Sequence, residues 1–268
     1  ISAIGRIGEG PDDFINPRIL NSLTTGDAFF IGDAKKVVRY SADSICLAYY
    51  AGGIRQSLPP EVMLYNYLLI DSDSLFVYSQ TGEHPVSVYD PHDQRLSFID
   101  YFPDIEWNEG SEYIRNMEVF ANCMTSNGEN IAIAYHNWNT ISIITPAGDC
   151  RAELFFPDWD YNLEKMHIDH STGNLKFSKD AKIYFTKIRS NKRYIFALGW
   201  SATKEQIRMD DAVSFIYVLG WDGNVVKKVV FDKGVANFCI SGDSIPYVTA
   251  IGDDGEIHVF GCKLDGVL

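Results

Sequence analysis

The chain is short of positive charge. Its 268 residues include 23 Lys and Arg but 36 Asp and Glu, which gives a formal net charge of −13 at pH 7. A surface of this sign repels phosphate backbones and anionic headgroups, so we expect neither a nucleic-acid partner nor binding to an anionic membrane. The sequence also has no apolar run long enough for a transmembrane helix.

Cysteine is scarce, and its spacing fits no metal motif. The five cysteines form no C-x-x-C; they are Cys46, Cys123, Cys150, Cys239 and Cys262. An odd count without ligand spacing argues against a structural zinc site and a dense disulfide framework. Most of these cysteines lie in apolar, strand-like segments, where we expect buried free thiols.

Catalytic motifs are missing as well. The sequence contains no G-x-S-x-G, no H-E-x-x-H and no G-x-x-x-x-G-K-[ST]. Gly8-Glu9-Gly10 has too few glycines for a dinucleotide-binding loop, and Pro11 would interrupt the helix that such a loop must begin. We therefore expect a non-catalytic protein without a cofactor.

Aromatic residues, in contrast, are plentiful. The chain has 16 Phe, 15 Tyr and 5 Trp, and these alternate with Ile and Val in short runs that Gly, Asp, Asn and Ser interrupt. Such runs are typical of strands joined by tight turns, and long amphipathic helical patterns are nearly absent. The sequence predicts one all-β domain over residues 1–268, with no linker-like segment.

A strand–turn–strand pattern recurs along the chain. Its anchor residues are Tyr40, Tyr89, Ile144, Leu219 and Phe260, which lie between about 40 and 75 residues apart. Propeller blades of four antiparallel strands repeat at about 40–50 residues. We therefore predict a β-propeller of five units. The one long spacing contains residues 157–180, which we interpret as an insertion with a small hairpin at 166–168 and 175–177 rather than a sixth blade.

The strands of each unit follow from the alternation. They are predicted at 19–23, 28–31, 37–40 and 45–50; at 64–70, 75–78, 86–89 and 96–101; at 117–124, 131–135, 141–145 and 152–156; at 182–188, 194–200, 215–220 and 225–231; and at 236–241, 247–251 and 257–262. The fifth unit lacks a fourth strand. Residues 1–7 form a spare strand, so we predict that they pair with the last blade and close the ring.

The segment Gly5-Arg6-Ile7-Gly8-Glu9-Gly10-Pro11-Asp12-Asp13-Phe14 resembles the G-[KR]-x-G-x-G-P-x-E-F opening of the TolB-like, NHL-related β-propellers of Bacteroides-type bacteria. Asp13 stands where that family usually has Glu. The resemblance implies six blades and a secreted protein or lipoprotein, in the periplasm or at the cell surface. The residues predicted to serve closure are Gly5, Gly8, Gly10, Pro11 and Phe14.

The chain begins at Ile1 without an initiator methionine or a signal peptide, so we expect a mature domain. We further expect a monomer.

Blade topology places the longer loops on one face. The connections between blades and the middle hairpin turn of each blade share this long-loop face, which includes residues 51–61, 103–113, 136–139, 157–174 and 201–212. Because rigid scaffolds display function on long loops, this face is the candidate site. The predicted ligand-binding residues are Trp107, Asn108, His136, Trp138, Asn139, Asp158, Trp159, Asp160 and Trp200. Aromatic rings beside polar groups suit a glycan or another polar ligand, or a protein partner; alternatively, the rings pack inside their own loops.

Metal sites are weaker hypotheses. Asp158-x-Asp160-x-Asn162 begins like a calcium loop but has Leu163 at the position of the required glycine. His167 and His170 could meet a metal together with Asp169, although an exposed loop explains them as well. The alternative to a binding protein is a propeller hydrolase or lyase with a metal in the central channel, for which Glu118 and Asn237 are candidate ligands.

Overall fold

Short strands and tight turns account for most of the structure, as the alternating apolar segments predict. The structure is a computed structural model. It describes residues 6–8, 13–15, 18–19, 21–22, 28–33, 36–41, 54–57, 67–69, 77–79, 84–90, 93–209, 211–232, 234–240, 246–251 and 256–262.

The strands and helical segments follow one another along the chain. The strands are β1 (Arg6–Ile7), β2 (Asp13–Phe14), β3 (Arg18–Ile19), β4 (Asn21–Ser22), β5 (Ala28–Asp33), β6 (Lys36–Ser41), β7 (Ile54–Ser57), β8 (Tyr67–Leu69), β9 (Val77–Ser79), β10 (Val86–Asp90), β11 (Arg95–Ile99), β12 (Asn122–Ser126), β13 (Ile131–Tyr135), β14 (Thr140–Ile144), β15 (Cys150–Phe155), β16 (Met166–Asp169), β17 (Asn174–Phe177), β18 (Lys182–Ser190), β19 (Tyr194–Thr203), β20 (Phe215–Gly220), β21 (Val225–Val230), β22 (Val235–Ile240), β23 (Pro246–Ile251) and β24 (Ile257–Gly261). The helical segments are α1 (Glu112–Ile114), a π-helical turn (Arg115–Val119), a 3-10 turn (Leu163–Lys165) and α2 (Lys204–Arg208).

Five sheets succeed one another as propeller blades. In order they are β3-β5-β6-β7 (blade 1), β8-β9-β10-β11 with β4 parallel to β8 (blade 2), β12-β13-β14-β15 (blade 3), β18-β19-β20-β21 (blade 4) and β22-β23-β24 (blade 5). Apart from the β4 pairing, every blade is an antiparallel meander. The five-unit prediction is confirmed for the described chain, while the six blades implied by the resemblance are not seen there.

The described core lies between neighbouring blades, and blade 3 is covered on both faces. In β13 every residue is buried. Ile131 and Ile133 pack in the cluster between blades 2 and 3, whereas Ala132 and Ala134 pack in the cluster between blades 3 and 4. The two-residue period of a strand sends alternate side chains into alternate interfaces. A third cluster, with Phe196 and Phe238, lies between blades 4 and 5.

The first strands of successive blades lie side by side. β12 contacts β18, and β18 contacts β22. At one end of the first pair the Thr125 and Ser190 hydroxyls are 2.7 Å apart, and the Ser190 hydroxyl donates to the Ser126 carbonyl at 2.9 Å. These strands are the inner strands of the propeller.

The N-terminal segment packs on blade 1. β1 pairs in parallel with β2, and Phe14 is buried against Val38 and Tyr40. The Ile15 amide donates to the Asp33 carboxylate at 2.8 Å. A Cβ on Gly8 would lie 2.6 Å from a carboxylate oxygen of Asp13, so a larger residue at this position would require the Asp13 side chain to move.

Ring closure stays a prediction. Residues 1–5, which include Gly5, lie outside the described residues, as do Gly10 and Pro11. Arg6 and Ile7 pair with β2 rather than with β24, and within the described chain blade 5 has three strands.

Several predicted boundaries are wrong. The fourth strand of blade 1 is β7; the predicted strand at 45–50 lies outside the described residues. Residues 115–119 are π-helical, so β12 begins only at Asn122. The predicted loop at 201–212 contains the end of β19 and α2, whose first turn is fixed by a capping box between Thr203 and Gln206. The hairpin predicted in the insertion is confirmed as β16 and β17.

Candidate functional site

The turn between β13 and β14, residues 136–139, connects the elements of the long-loop face. The Asn137 amide donates to the Glu118 carbonyl at 2.6 Å, and the Asn139 amide donates to the Pro157 carbonyl at 2.5 Å. The π-helical turn before β12 and the loop after β15 are therefore both tied to this turn. Three of the predicted ligand-binding residues lie here, but the contacts are internal.

Trp138 belongs to the core. Its side chain is 0% exposed, its indole N–H donates to the Val119 carbonyl at 2.9 Å, and its ring stacks on Phe120 with centroids 6.0 Å apart. Both the ring face and the polar atom are used within the fold. Trp138 is therefore not an exposed platform, and the prediction that it faces a ligand needs correction.

His136 and Asn139 also serve the turn. The imidazole Nδ1 of His136 contacts the Phe185 carbonyl, and burial lowers the pKa of His136, helped by the nearby Lys187 charge. Asn139 is 5% exposed. Its amide oxygen has no hydrogen-bond partner, but it is buried within the turn and so does not present itself to solvent. Asn139 therefore offers no surface contact, and His136 is only partly exposed.

The loop after β15 holds its two carboxylates outward. Asp158 has a left-handed backbone (φ 64°), and its carbonyl accepts from the Tyr184 hydroxyl at 2.7 Å and from the Tyr161 amide at 3.2 Å. The Asp158 carboxylate lies 3.4 Å from the Lys182 ammonium. Asp158 and Asp160 are both exposed, so a fixed backbone presents two carboxylates to solvent.

Asn162 closes this loop and counts against the calcium hypothesis. It is fully buried; its amide donates to the carbonyls of Asn137 (2.8 Å) and Lys182 (2.7 Å), and its oxygen accepts from the Lys182 amide (2.9 Å). The oxygen that a calcium ion would need already has a partner. Asn162 is thus a structural residue.

Two tryptophans remain at the surface of this face. Trp107 is half-buried and its indole N–H donates to the Glu109 carbonyl at 3.0 Å. Trp159 is half-buried and meets Phe155 edge-on, with centroids 4.7 Å apart. Both pack on the core cluster between blades 2 and 3 that also contains Trp138. Asn108 is exposed beside Trp107, whereas Trp200 lies in β19 and is not part of this cluster.

The hypothetical metal ligands do not converge. Among the described residues, no three His, Cys, Asp or Glu side chains are placed to hold a metal ion. His167 and His170 are exposed, and Asp169 pairs with the Lys176 ammonium at 2.6 Å. That ammonium and the Ser171 hydroxyl hold the pKa of Asp169 well below its usual range. Glu118 lies in the π-helical turn before β12, and the Asn237 side chain accepts from the Phe238 amide in β22.

A second polar cluster was not foreseen from the sequence. The Tyr101 hydroxyl donates to Glu153 at 2.5 Å, the Ser142 hydroxyl donates to the same oxygen at 3.3 Å, and the Asp104 amide reaches the other carboxylate oxygen at 3.2 Å. Burial and the neighbouring Cys150 and Glu153 raise the pKa of Tyr101. These partners are distant in sequence, so no local signal could have predicted them. The cluster attaches the segment that connects blades 2 and 3 to β15, the outer strand of blade 3.

Comparisons with known proteins support the fold. No family model and no curated protein matches the sequence. A member of the DUF4221 family from Bacteroides vulgatus is 10% identical, with coverage of 97% of this chain and 81% of its own and a TM-score of 0.59. A predicted exported protein from Bacteroides fragilis is 13% identical, with coverage of 92% and 70% and a TM-score of 0.50. At these identities the similarity shows a fold that Bacteroides proteins share.

The helical segments are short. Within the described part of the chain, none is both long enough and apolar enough to cross a membrane.

Proposed function

We propose that the protein is an extracytoplasmic, non-catalytic propeller of the TolB-like or NHL-related type that binds a polar ligand, in particular a glycan, on its long-loop face. Trp107 and Trp159 are the ring platforms, and Asn108, Asp158 and Asp160 are the polar contacts. The resemblance at residues 5–14 supports the family, and the exported neighbour from Bacteroides fragilis supports the localisation.

One observation carries the ligand proposal. Trp107 and Trp159 rest on the same buried cluster while each keeps part of its ring exposed, and exposed amide and carboxylate groups flank them. A rigid aromatic face packs against the C–H groups of a sugar, while neighbouring polar groups hydrogen-bond its hydroxyls. Support from the core keeps both rings in place before the ligand arrives, which lowers the entropic cost of binding.

A glycan array probed with the full chain tests this proposal. Trp107→Ala and Trp159→Ala should each abolish most of the binding to any glycan that the native protein retains. Trp221→Ala is the matched control, because Trp221 is also half-buried and its indole N–H donates to the Asn191 carbonyl at 3.1 Å in a turn on the opposite face. The proposal fails if no glycan binds, or if the control variant loses as much binding as the other two.

The test also distinguishes the alternatives. A protein partner would leave the glycan array blank but would lose its affinity for Trp107→Ala and Trp159→Ala in a pull-down. A channel metalloenzyme would bind a divalent cation stoichiometrically in calorimetry, and the two tryptophan variants would not alter that binding.

A further inference from the structure

The inner strand of blade 4, β18, has two cationic side chains, Lys187 and Arg189, on the same side. In β18, Phe185 pairs with Gly199 and Lys187 pairs with Leu198, so Thr186 is an extra residue that forms a β-bulge. Beyond the bulge, each side chain of β18 points to the opposite face from the one that it would occupy in a regular strand. Phe185 and Ile188 both enter the core between blades 3 and 4 although they are three residues apart. Lys187 and Arg189 are thereby turned away from that core.

Arg189 lies between the inner strands of the neighbouring blades. Its guanidinium is 5.8 Å from the centroid of the Phe238 ring in β22. Burial lowers the pKa of Arg189, and the nearby thiols of Cys123 in β12 and Cys239 in β22 partly offset this by raising it. The guanidinium stays protonated at neutral pH, so the inner strands enclose a permanent positive charge.

Arg189 has few partners in the fold. A guanidinium has five N–H donors, and its one described hydrogen bond is from Nη1 to the carbonyl of the preceding residue, Ile188, at 2.9 Å. No Asp or Glu forms a salt bridge with it in the described part of the chain. The Arg189 side chain is only partly buried, so it is not sealed from solvent.

The side of β18 that faces blade 5 is accessible. Lys187 is exposed, and so are Asn237 and Cys239 on β22. A second bulge, at Ala236, interrupts the register of β22 opposite this region. Bulges are frequent beside functional sites because they redirect side chains. The bulge in β18 also leaves the Thr186 hydroxyl without a hydrogen-bond partner.

Lys187 and Arg189 place two positive charges close together in a chain whose net charge is negative. Acidic residues outnumber basic ones by 36 to 23, yet none is paired with this arginine among the described residues. A partly buried charge without a counter-ion is unfavourable, and a bound anion would compensate it. The planar fork of a guanidinium matches the two oxygens of a carboxylate or phosphate, and a lysine adds a point charge.

We propose that Lys187 and Arg189 form an anion-binding site between the inner strands β18 and β22, which takes the carboxylate or phosphate group of a small molecule. Arg189 holds two oxygens of the anion in a bidentate contact. Lys187 attracts the ligand from the exposed side. This site is separate from the tryptophans of the long-loop face.

Calorimetric titration of the full chain at low ionic strength tests the site, with inorganic phosphate in one arm and succinate in the other. Both anions should bind with one-to-one stoichiometry, and the tighter of the two identifies the ligand group. Arg189→Gln should weaken binding at least about tenfold, which corresponds to about 1.4 kcal/mol. Arg189→Lys should recover only part of that loss because it lacks the fork. Lys187→Gln, at an exposed position, should weaken binding by about threefold and leave folding intact.

Arg193→Gln is the matched control. Arg193 is an exposed arginine in the turn between β18 and β19, and its substitution removes the same charge from the same blade. The site does not exist if neither anion binds the native protein, or if Arg193→Gln weakens binding as much as Arg189→Gln does. If Arg189→Gln fails to fold, Lys187→Gln decides alone, and unchanged affinity in that variant overturns the proposal. Trp107→Ala should bind both anions normally, so failure of the glycan proposal would not affect this result.

Discussion

At the scale of single residues, buried amides decide the geometry of the long-loop face. Asn162 hydrogen-bonds to the carbonyl of Asn137 and to both the carbonyl and the amide of Lys182, which belong to two different stretches of chain. Loss of a hydrogen-bond partner from a buried or partly buried backbone group is costly in a protein interior. Asn162, which the sequence suggested as a calcium ligand, therefore links separate segments of the backbone. The exposed carboxylates of Asp158 and Asp160 depend on it for their position.

Asn162→Ala should lower the free energy of unfolding by about 3 kcal/mol, because a fully buried side chain loses three hydrogen bonds and their backbone partners remain. The urea midpoint measures this change. Asn174→Ala is the control, since Asn174 is exposed in β17 and its replacement should change stability by less than about 0.5 kcal/mol. Equal midpoints for the two variants would contradict the role given to Asn162.

At the scale of elements, hydrogen bonds join neighbouring blades in addition to apolar packing. The set of hydrogen bonds around Glu153 is called the clamp below. Glu153 on β15 accepts hydrogen bonds from Tyr101 and from the Asp104 amide in the segment that enters blade 3. A carboxylate that accepts several hydrogen bonds forms stronger contacts than a neutral group does. This clamp fixes where the segment with Trp107 begins its path across the long-loop face.

Tyr101→Phe should cost about 1.5–3 kcal/mol near neutral pH, because a hydrogen bond to a charged group is lost. The pKa of Tyr101 is raised above its ordinary value of 10.0 in the folded state. Its contribution is therefore complete below pH 10 and disappears as the pH rises towards the folded-state value. The native protein should lose stability above pH 10 more steeply than Tyr101→Phe does in urea unfolding.

Tyr113→Phe provides the control, since Tyr113 is 52% exposed. It should follow the native curve at every pH. If Tyr101→Phe shows the same alkaline slope as the native protein, the clamp does not contribute to stability.

At the scale of the whole molecule, the last blade exposes its outermost described strand, β24. Every residue of β24 is exposed, with Ile257 at 75% and Val259 at 66%. An apolar edge of this kind favours pairing with another strand, and residues 1–7 remain the predicted partner. In the described chain Phe14 already anchors the N-terminal segment to blade 1, which would bring a preceding strand close to the first blade.

Deletion of residues 1–7 should lower the melting temperature by at least about 5 °C, because the last blade would lose its covering strand. Binding of a hydrophobic dye should increase in parallel, since the edge at β24 would stay open. A truncated protein that melts like the full chain and binds no additional dye would show that these residues do not close the ring.

The sequence by itself determined the succession of blades and the location of most of their strands. The alternation of Ile131 to Tyr135 and of Phe215 to Gly220, with tight turns between strands, reflects local stereochemistry, which is why the five blades and the 166–177 hairpin could be predicted. The same local rules failed at residues 115–119, where a π-helical turn forms and its Val119 carbonyl accepts a hydrogen bond from Trp138, which is distant in sequence.

Only the tertiary structure decided which polar and aromatic residues face solvent. Trp138 and Trp159 occur in similar polar contexts, yet the first is enclosed between blades and the second stays at the surface. Lys187 and Arg189 would face the apolar core in a regular strand, and the bulge at Thr186 turns them outward. Burial depends on contacts between residues far apart in the chain, so periodicity along one strand cannot reveal it.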